Sequence, residues 1–392
     1  MAVIKKEYLN FIFLLITFTL PSICMIFGAS SYALGLLIIS LLSISRVFNK
    51  KNTLFLNLNP VFNFLIPFLF YVIVAGQISN IIYYNFDYYK FFISILIIFF
   101  ISIGAYLWTI EINDIAEDYF EYSLRIIYHI FIVFGYLSLF EVNLFYPLGK
   151  SVIIFTEQSS FALFIAPFAL YFTIRSSRII RFSYIILLST LALIFPSLTL
   201  AMVVLLMIFI IINIRYFLLL FMIIITFLYF QININYFIER TDISLNTQNL
   251  SALVFYSGWE RAFLSLRDTM GLGVGFQQFG ILGDQGDAQE ILSSMGLREL
   301  NLYDGGSTGA KFIGEFGITG LIFLLLYLIN FIKKLFYLRN FIKNNNTLNN
   351  YKNIFYASCF CSFFIELFIR GIGYFSMTLF FILCGVFNAR KR

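Results

Sequence analysis

Seven residues have the type and the setting to do chemistry. Glu157, Asp304 and Glu315 are carboxylates; Arg261, Arg267, Arg370 and, more remotely, Arg240 are guanidinium groups. A guanidinium presents a planar fork of donors that grips two oxygens of one phosphate, so Arg261 and Arg267 together suit a phosphate ester. A second reading of Arg261 stays open: a surface ion pair with Asp268, which shares its helical face. A carboxylate beside a hydroxyl can take its proton. Glu141, Glu315, Glu366 and Arg370 fall in or beside long apolar runs. A charge at membrane depth costs roughly 2.5–3.5 kcal/mol or more, so each is a candidate functional group unless it snorkels to the headgroups. Glu157 opens an apolar run within Thr156-Glu157-Gln158-Ser159-Ser160, and Arg370 opens the turn Arg370-Gly371-Ile372-Gly373.

Other motifs exclude chemistry. Gly271-Leu272-Gly273-Val274-Gly275 has no strand before it and no Gly-Lys-Ser/Thr after it, which argues against a nucleotide cradle. It reads as a turn whose bare backbone admits close approach. Cys24, Cys359, Cys361 and Cys384 all lie in apolar runs, as does the single histidine, His129. Disulfides, a metal site and a cofactor are therefore not expected.

The elements that must position these residues are set by the solvent. Of 392 residues, 61% are hydrophobic and 12% charged, and the mean hydropathy is +0.91. A soluble domain has about 25% charged residues. Half of that cannot cover a globule, so most of the chain faces lipid. The net charge of +6 is scattered over short loops, which excludes a nucleic-acid stripe. Twelve apolar stretches are candidate spans, near 8–27, 31–45, 60–79, 89–110, 124–142, 158–174, 182–196, 198–213, 215–232, 311–332, 353–370 and 371–388. The second, seventh and eighth are short. The polar breaks at Pro196-Ser197 and Asn213-Ile214-Arg215 favour three spans over two between Arg181 and Phe230. The first stretch is too long for a signal peptide and reads as a retained span. With both termini cytoplasmic, the larger share of the 26 Lys and Arg falls inside.

The expected fold is thus all-α and polytopic. It has a membrane domain over 1–232, one large external loop over 233–310, and a second membrane domain over 311–392. Phe255, Trp259, Ala262, Phe263, Leu266 and Met270 recur at helical period, which predicts an amphipathic helix over 257–270 lying on the membrane, apolar side down. Ser257 with Glu260 reads as its capping box. Thr308 is expected to cap the span that follows the loop, and Lys311 to pair with Glu315 four residues on. Glu111, Asp114, Glu117, Asp118 and Glu121 read as a solvated cytoplasmic turn.

Four motifs in this order resemble the O-antigen polymerase/ligase group of bacterial surface-polysaccharide proteins, and Wzy-type polymerases in particular. They are Thr156 to Phe161, Pro196-Ser197-Leu198-Thr199, Arg261 followed by Gly271-x-Gly273-x-Gly275, and Glu315-Phe316-Gly317-Ile318-Thr319-Gly320. Ligases of the group carry a loop histidine where this chain reads Gly306-Ser307-Thr308, which favours polymerase over ligase. The resemblance implies a GT-C-like membrane glycosyltransferase of the inner membrane that joins undecaprenyl-diphosphate-linked oligosaccharides on the periplasmic side. Its partners would be that substrate, membrane lipid and a chain-length regulator. Arg261, Arg267 and Arg370, then Arg240, would hold the diphosphate. Glu157, then Asp304 and Glu315, would supply the base. A ligase and a non-enzymatic flippase are the alternatives, and a flippase should show repeated halves, which this chain lacks.

Overall fold

The computed structural model describes residues 2–48, 58–83, 85–140, 151–194, 197–212, 244–245, 247, 249–343 and 351–389. The ninth expected span, Arg240, Glu141 and the start of the loop lie outside them. The described residues form an all-helical protein with only two isolated β-bridges. The helices are α1 (Ala2–Ile26), α2 (Ala33–Phe48), α3 (Asn59–Ile82), α4 (Tyr88–Asn113), α5 (Glu117–Leu137), α6 (Gln158–Arg175), α7 (Arg178–Ile194) and α8 (Leu198–Ile211). After these come α9 (Leu250–Asp268), α10 (Gly286–Ser294), α11 (Thr308–Lys343), α12 (Tyr351–Phe368) and α13 (Met377–Ala389).

Among the described residues, five helical segments are long and apolar enough to cross a membrane: Glu7–Ile26, Asn59–Ile82, Tyr88–Asn113, Glu117–Phe140 and Thr308–Ile342. Shorter apolar helices run over Ala33–Phe48, Leu198–Ile211 and Met377–Ala389. Helix α6 is the axis of the bundle. It is apolar on every side and buried from Ser160 to Ile174, which is what a helix packed all round by others requires. Its neighbours include α5, α8 and α12, and Phe168 joins a cluster of rings with Phe18, Phe131 and Phe355.

The two ends of the bundle differ. At one end the acidic run is only partly solvated: Asp114 and Asp118 are exposed, but the glutamates are paired. Glu121 is buried between Arg125, at 2.8 Å, and Arg175, at 3.0 Å. Glu111 is buried and meets Arg46 at 3.5 Å, and Glu117 faces Lys352 at 3.9 Å. These pairs tie the end of α2 to the end of α4, and the start of α5 to the end of α6 and the start of α12. The expected solvated turn holds for Asp114 and Asp118 and is corrected for Glu111 and Glu121, because basic residues from three other helices converge on the run and charges drawn together this way leave water as pairs.

At the other end sits the loop, folded into a cap. Helix α9 begins at Leu250, seven residues before the expected Ser257. Asn249 caps it by accepting from the amides of Ser251, at 3.0 Å, and Ala252, at 3.3 Å. Ser257 is a buried mid-helix residue whose hydroxyl donates to Gln289 Oε1 at 2.8 Å. Glu260 does cap a helix, but another one: its Oε2 accepts from the Ala288 amide, 2.9 Å away, in the first turn of α10. The capping-box expectation is corrected because α10 offers unpaired amides from across the loop. The membrane-surface expectation for the apolar stripe is corrected too. Ala262 is buried against Phe279, Ala310 and Ile313, whereas Phe263 and Met270 stay exposed. The stripe is split between the bundle and the outside.

Helix α11 breaks at Gly317, which has φ 60° and ψ −133°. The Gly271–Gly275 turn fills the break. Ile318 donates to Gly271 O at 2.8 Å, Val274 to Gly314 O at 2.9 Å and Gly275 to Glu315 O at 3.0 Å. Ser265 Oγ also donates to Gly314 O, at 2.6 Å. The turn supplies the hydrogen bonds that the helix loses, as a broken helix at membrane depth requires. A Cβ on Gly273 would stand 2.5 Å from Glu315 O, so only bare backbone fits.

Candidate functional site

The loop cap, the start of α11 and the strap between α12 and α13 enclose a polar cluster. Glu315 stands on the last turn of α11 before the break and is fully buried. Its Oε1 accepts from the Phe279 amide at 3.4 Å, and the Gln277 backbone and Tyr374 hydroxyl lie beside the carboxylate. One turn earlier, Lys311 is buried. Its ammonium donates to Asp304 Oδ1 at 3.3 Å and Gln277 Oε1 at 3.4 Å, and lies 5.1 Å from the centroid of the Tyr374 ring. The expected pair of Lys311 with Glu315 is therefore corrected to Lys311 with Asp304. Asp304 is the better partner because its loop bends over the top of α11. Lys90, in the first turn of α4, completes the group. Its ammonium lies 3.9 Å from the centroid of the Tyr303 ring and within electrostatic reach of Lys311, Glu315 and Asp304.

Local structure explains the assembly. Ser307, not Thr308, caps α11, its Oγ accepting from the Ala310 amide at 3.3 Å. This starts the helix at the mouth of the cap and puts Lys311 and Glu315 on one face, one turn apart. Gln278 fixes the cap to α4 through a two-way bond with Asp87: the Asp87 amide donates to Oε1 at 2.9 Å, and Nε2 donates to Asp87 O at 3.1 Å. That brings Lys90 alongside. The span expected from 371 begins as helix only at Met377. Residues 371–376 form a strap instead, and Gly371 donates to Gly306 O at 2.9 Å. The strap carries Tyr374, buried, whose hydroxyl faces the Glu315 carboxylate.

The same strap begins with Arg370, which donates through Nη2 to Glu157 Oε1 at 2.6 Å. Glu157 occupies the N-cap position of α6 with an extended backbone, but its carboxylate is turned to Arg370 rather than to the helix amides. Tyr32, Thr156 and Ser160 surround the pair. Four residues separate Arg370 from Tyr374, so the pair and the cluster lie within about 14 Å of each other along the chain.

The remaining arginines are placed differently. Arg261 is buried, with 4% of its surface exposed. Its guanidinium donates to Leu302 O at 2.8 Å and Ser257 O at 3.3 Å, and stacks 4.6 Å from the Phe279 ring centroid. Burial pushes its pKa down to about 10. It forms no pair with Asp268. That residue pairs with Arg267 at 2.8 Å, in the open. Arg267 borders an aromatic groove of about 650 Å³ with Phe255, Trp259, Phe263 and Phe368.

The structure thus gathers Asp304 and Glu315 in one cluster and Glu157 with Arg370 beside it. It sets Arg267 on the outer face of the cap and Arg261 inside it. Lys90, Gln277, Lys311 and Tyr374 complete the site without having been singled out as site residues. A lysine at membrane depth beside Glu315 was the available signal for Lys311. Nothing local marks Lys90 or Tyr374, because long-range packing brings them in. No group of three or more His, Cys, Asp or Glu suited to a metal occurs among the described residues. Compared with protein-family models, with characterised proteins and with solved structures, the chain matches none.

Proposed function

We propose that the chain is a polytopic membrane glycosyltransferase, similar to O-antigen polymerases, that joins undecaprenyl-diphosphate-linked repeat units into a surface polysaccharide. In this reading the chain crosses the inner membrane twelve times in a GT-C-like arrangement. Both termini are cytoplasmic and the cap faces the periplasm. The observation that carries it is the buried Glu315 carboxylate, under a folded cap and beside the Tyr374 hydroxyl and two lysines. A carboxylate buried this deeply costs stability, and it is retained where something must hydrogen-bond to it.

The chemistry follows from the groups present. A hydroxyl of one lipid-linked unit donates to Glu315 Oε2 and gives up its proton there. The hydroxyl oxygen attacks the anomeric carbon of a second unit. The bond from that carbon to the diphosphate oxygen breaks, and its electron pair leaves with the lipid diphosphate. Arg370 meets the growing negative charge, aided by Lys90 and Lys311. Arg267 waits at the outer groove for the diphosphate of an arriving lipid. Glu157 orients Arg370, and Asp304 orients Lys311. Arg261 holds the Leu302 carbonyl and so positions the loop that carries Asp304. The cap limits water, and with it hydrolysis.

Deletion of the gene followed by gel analysis of lipopolysaccharide tests this reading. The expected product is lipid A–core bearing a single repeat unit. Complete loss of the repeat unit from the core points to a ligase or a flippase instead.

A further inference from the structure

The end of the bundle remote from the cap holds a cleft that the proposed reaction does not use. It lies between α11, α12 and α13 and encloses about 640 Å³. One wall is a single face of α11, formed by Asn330, Lys333, Lys334 and Tyr337. Asn353 and Phe360 of α12 stand opposite, and the bare backbone of Gly385 on α13 closes the third side. Among the described residues, no carboxylate lines it.

The two lysines differ from several basic residues at this end. Arg46, Arg125, Arg175 and Lys352 each meet a glutamate. Among the described residues, no carboxylate lies within ion-pair distance of Lys333 or Lys334. The Lys334 ammonium lies over a ring, with the Phe360 centroid 5.4 Å away. The cleft therefore carries positive charge that no described carboxylate compensates.

Its depth fits a headgroup. Lys333 lies sixteen residues beyond the Gly317 break, about 24 Å along a helix. A bilayer's hydrocarbon core is about 30 Å thick, so the cleft stands near the far headgroup level. An apolar track leads to it: Leu325, Leu326, Ile329 and Ile332 on α11 are each about half exposed. Asn330 donates to Leu326 O at 2.9 Å, which leaves its amide oxygen to accept from a hydroxyl.

We propose that this cleft binds an anionic glycerophospholipid with a hydroxylated headgroup. Its phosphate sits between the Lys333 and Lys334 ammonium groups, and an acyl chain follows the α11 track. Basic pockets between membrane helices suit such headgroups, and each lysine near a charged leaflet adds attraction. This inference does not depend on the glycosyltransferase reading.

The test is native mass spectrometry of the full chain in detergent, with phosphatidylglycerol and phosphatidylcholine of equal acyl length as probes. The expected result is a phosphatidylglycerol adduct that outlasts the phosphatidylcholine adduct. Lys333→Gln with Lys334→Gln weakens it at least about tenfold, while Lys333→Arg with Lys334→Arg keeps it. Both lysines are exposed, so the glutamine variant folds, and an unchanged thermal melt confirms that. Equal retention of the two lipids, or an undiminished phosphatidylglycerol adduct on the glutamine variant, overturns the proposal. Preferential displacement by an undecaprenyl phosphate also overturns it, since the cleft would then serve the lipid carrier.

Discussion

Arg370 and Glu157 meet at 2.6 Å although 213 residues separate them in the chain. The contact joins the start of α6 to the strap after α12, beside the buried cluster. Glu157 has 43% of its side chain exposed. A pair this wet stabilises the fold by no more than about 1 kcal/mol. Its removal should therefore cost activity and not stability. Arg370→Ala and Glu157→Gln are each expected to shorten the polysaccharide ladder, with at least about a tenfold loss of extension rate, equivalent to ~1.4 kcal/mol. Melting temperature and membrane abundance should stay near the parent's. A parallel drop in abundance would assign the pair to folding.

Glu315→Gln keeps the shape of the side chain and removes its ability to accept a proton. The variant should reach normal levels in the membrane and leave single repeat units on the core. Glu315→Asp withdraws the carboxylate by one methylene and should retain partial extension. Full-length polymer from the glutamine variant would eliminate Glu315 as the base.

The residues differ in how far the sequence exposed them. Helix positions were legible because long apolar runs of this composition fold as helices, and α4, α6 and α12 begin within a few residues of the expected points. The glycine turn was legible as a place of close approach, but not that a broken α11 is what approaches. That break depends on Gly317 receiving Gly271 across the loop, a contact no local pattern encodes. Glu260 read correctly as a cap and incorrectly as to which helix, since capping geometry is the same whether the amides are local or distant. Arg261 carries the same lesson: its type suggested a phosphate, and burial gave it a backbone carbonyl and a ring.

Gly273→Ala tests the junction between cap and bundle. Gly273 has φ +83°, and an added Cβ would stand 2.5 Å from the Glu315 carbonyl oxygen and 2.6 Å from the Gly317 amide. Left-handed backbone alone costs an alanine roughly 1–2 kcal/mol, before any clash. The variant should show a protease-sensitive loop and reduced abundance at growth temperature. Alanine at Gly296, which also has positive φ but open space around it, should show the milder effect of backbone strain alone.

Arg261 separates positioning from binding. Arg261→Ala leaves the Leu302 carbonyl without its donor, a cost of roughly 1–3 kcal/mol. The segment from Leu302 to Asp304 should become protease-sensitive, and polymer length should fall with it. Shortened polymer from a variant with an intact, protected loop would return Arg261 to direct contact with substrate.

The ionic end of the bundle predicts a stability effect with no catalytic signature. Glu121 lies between Arg125 and Arg175, and Arg175 has only 16% of its side chain exposed. Glu121→Gln strands the Arg175 guanidinium in a poorly hydrated place, at a cost of about 3 kcal/mol. The detergent-solubilised protein should melt several degrees lower, and the ladder formed at reduced growth temperature should be unchanged. Adding Arg175→Gln removes the stranded charge, so the double variant should recover part of the loss. If the two substitutions simply add, the pair is not coupled, and the acidic run is solvated after all.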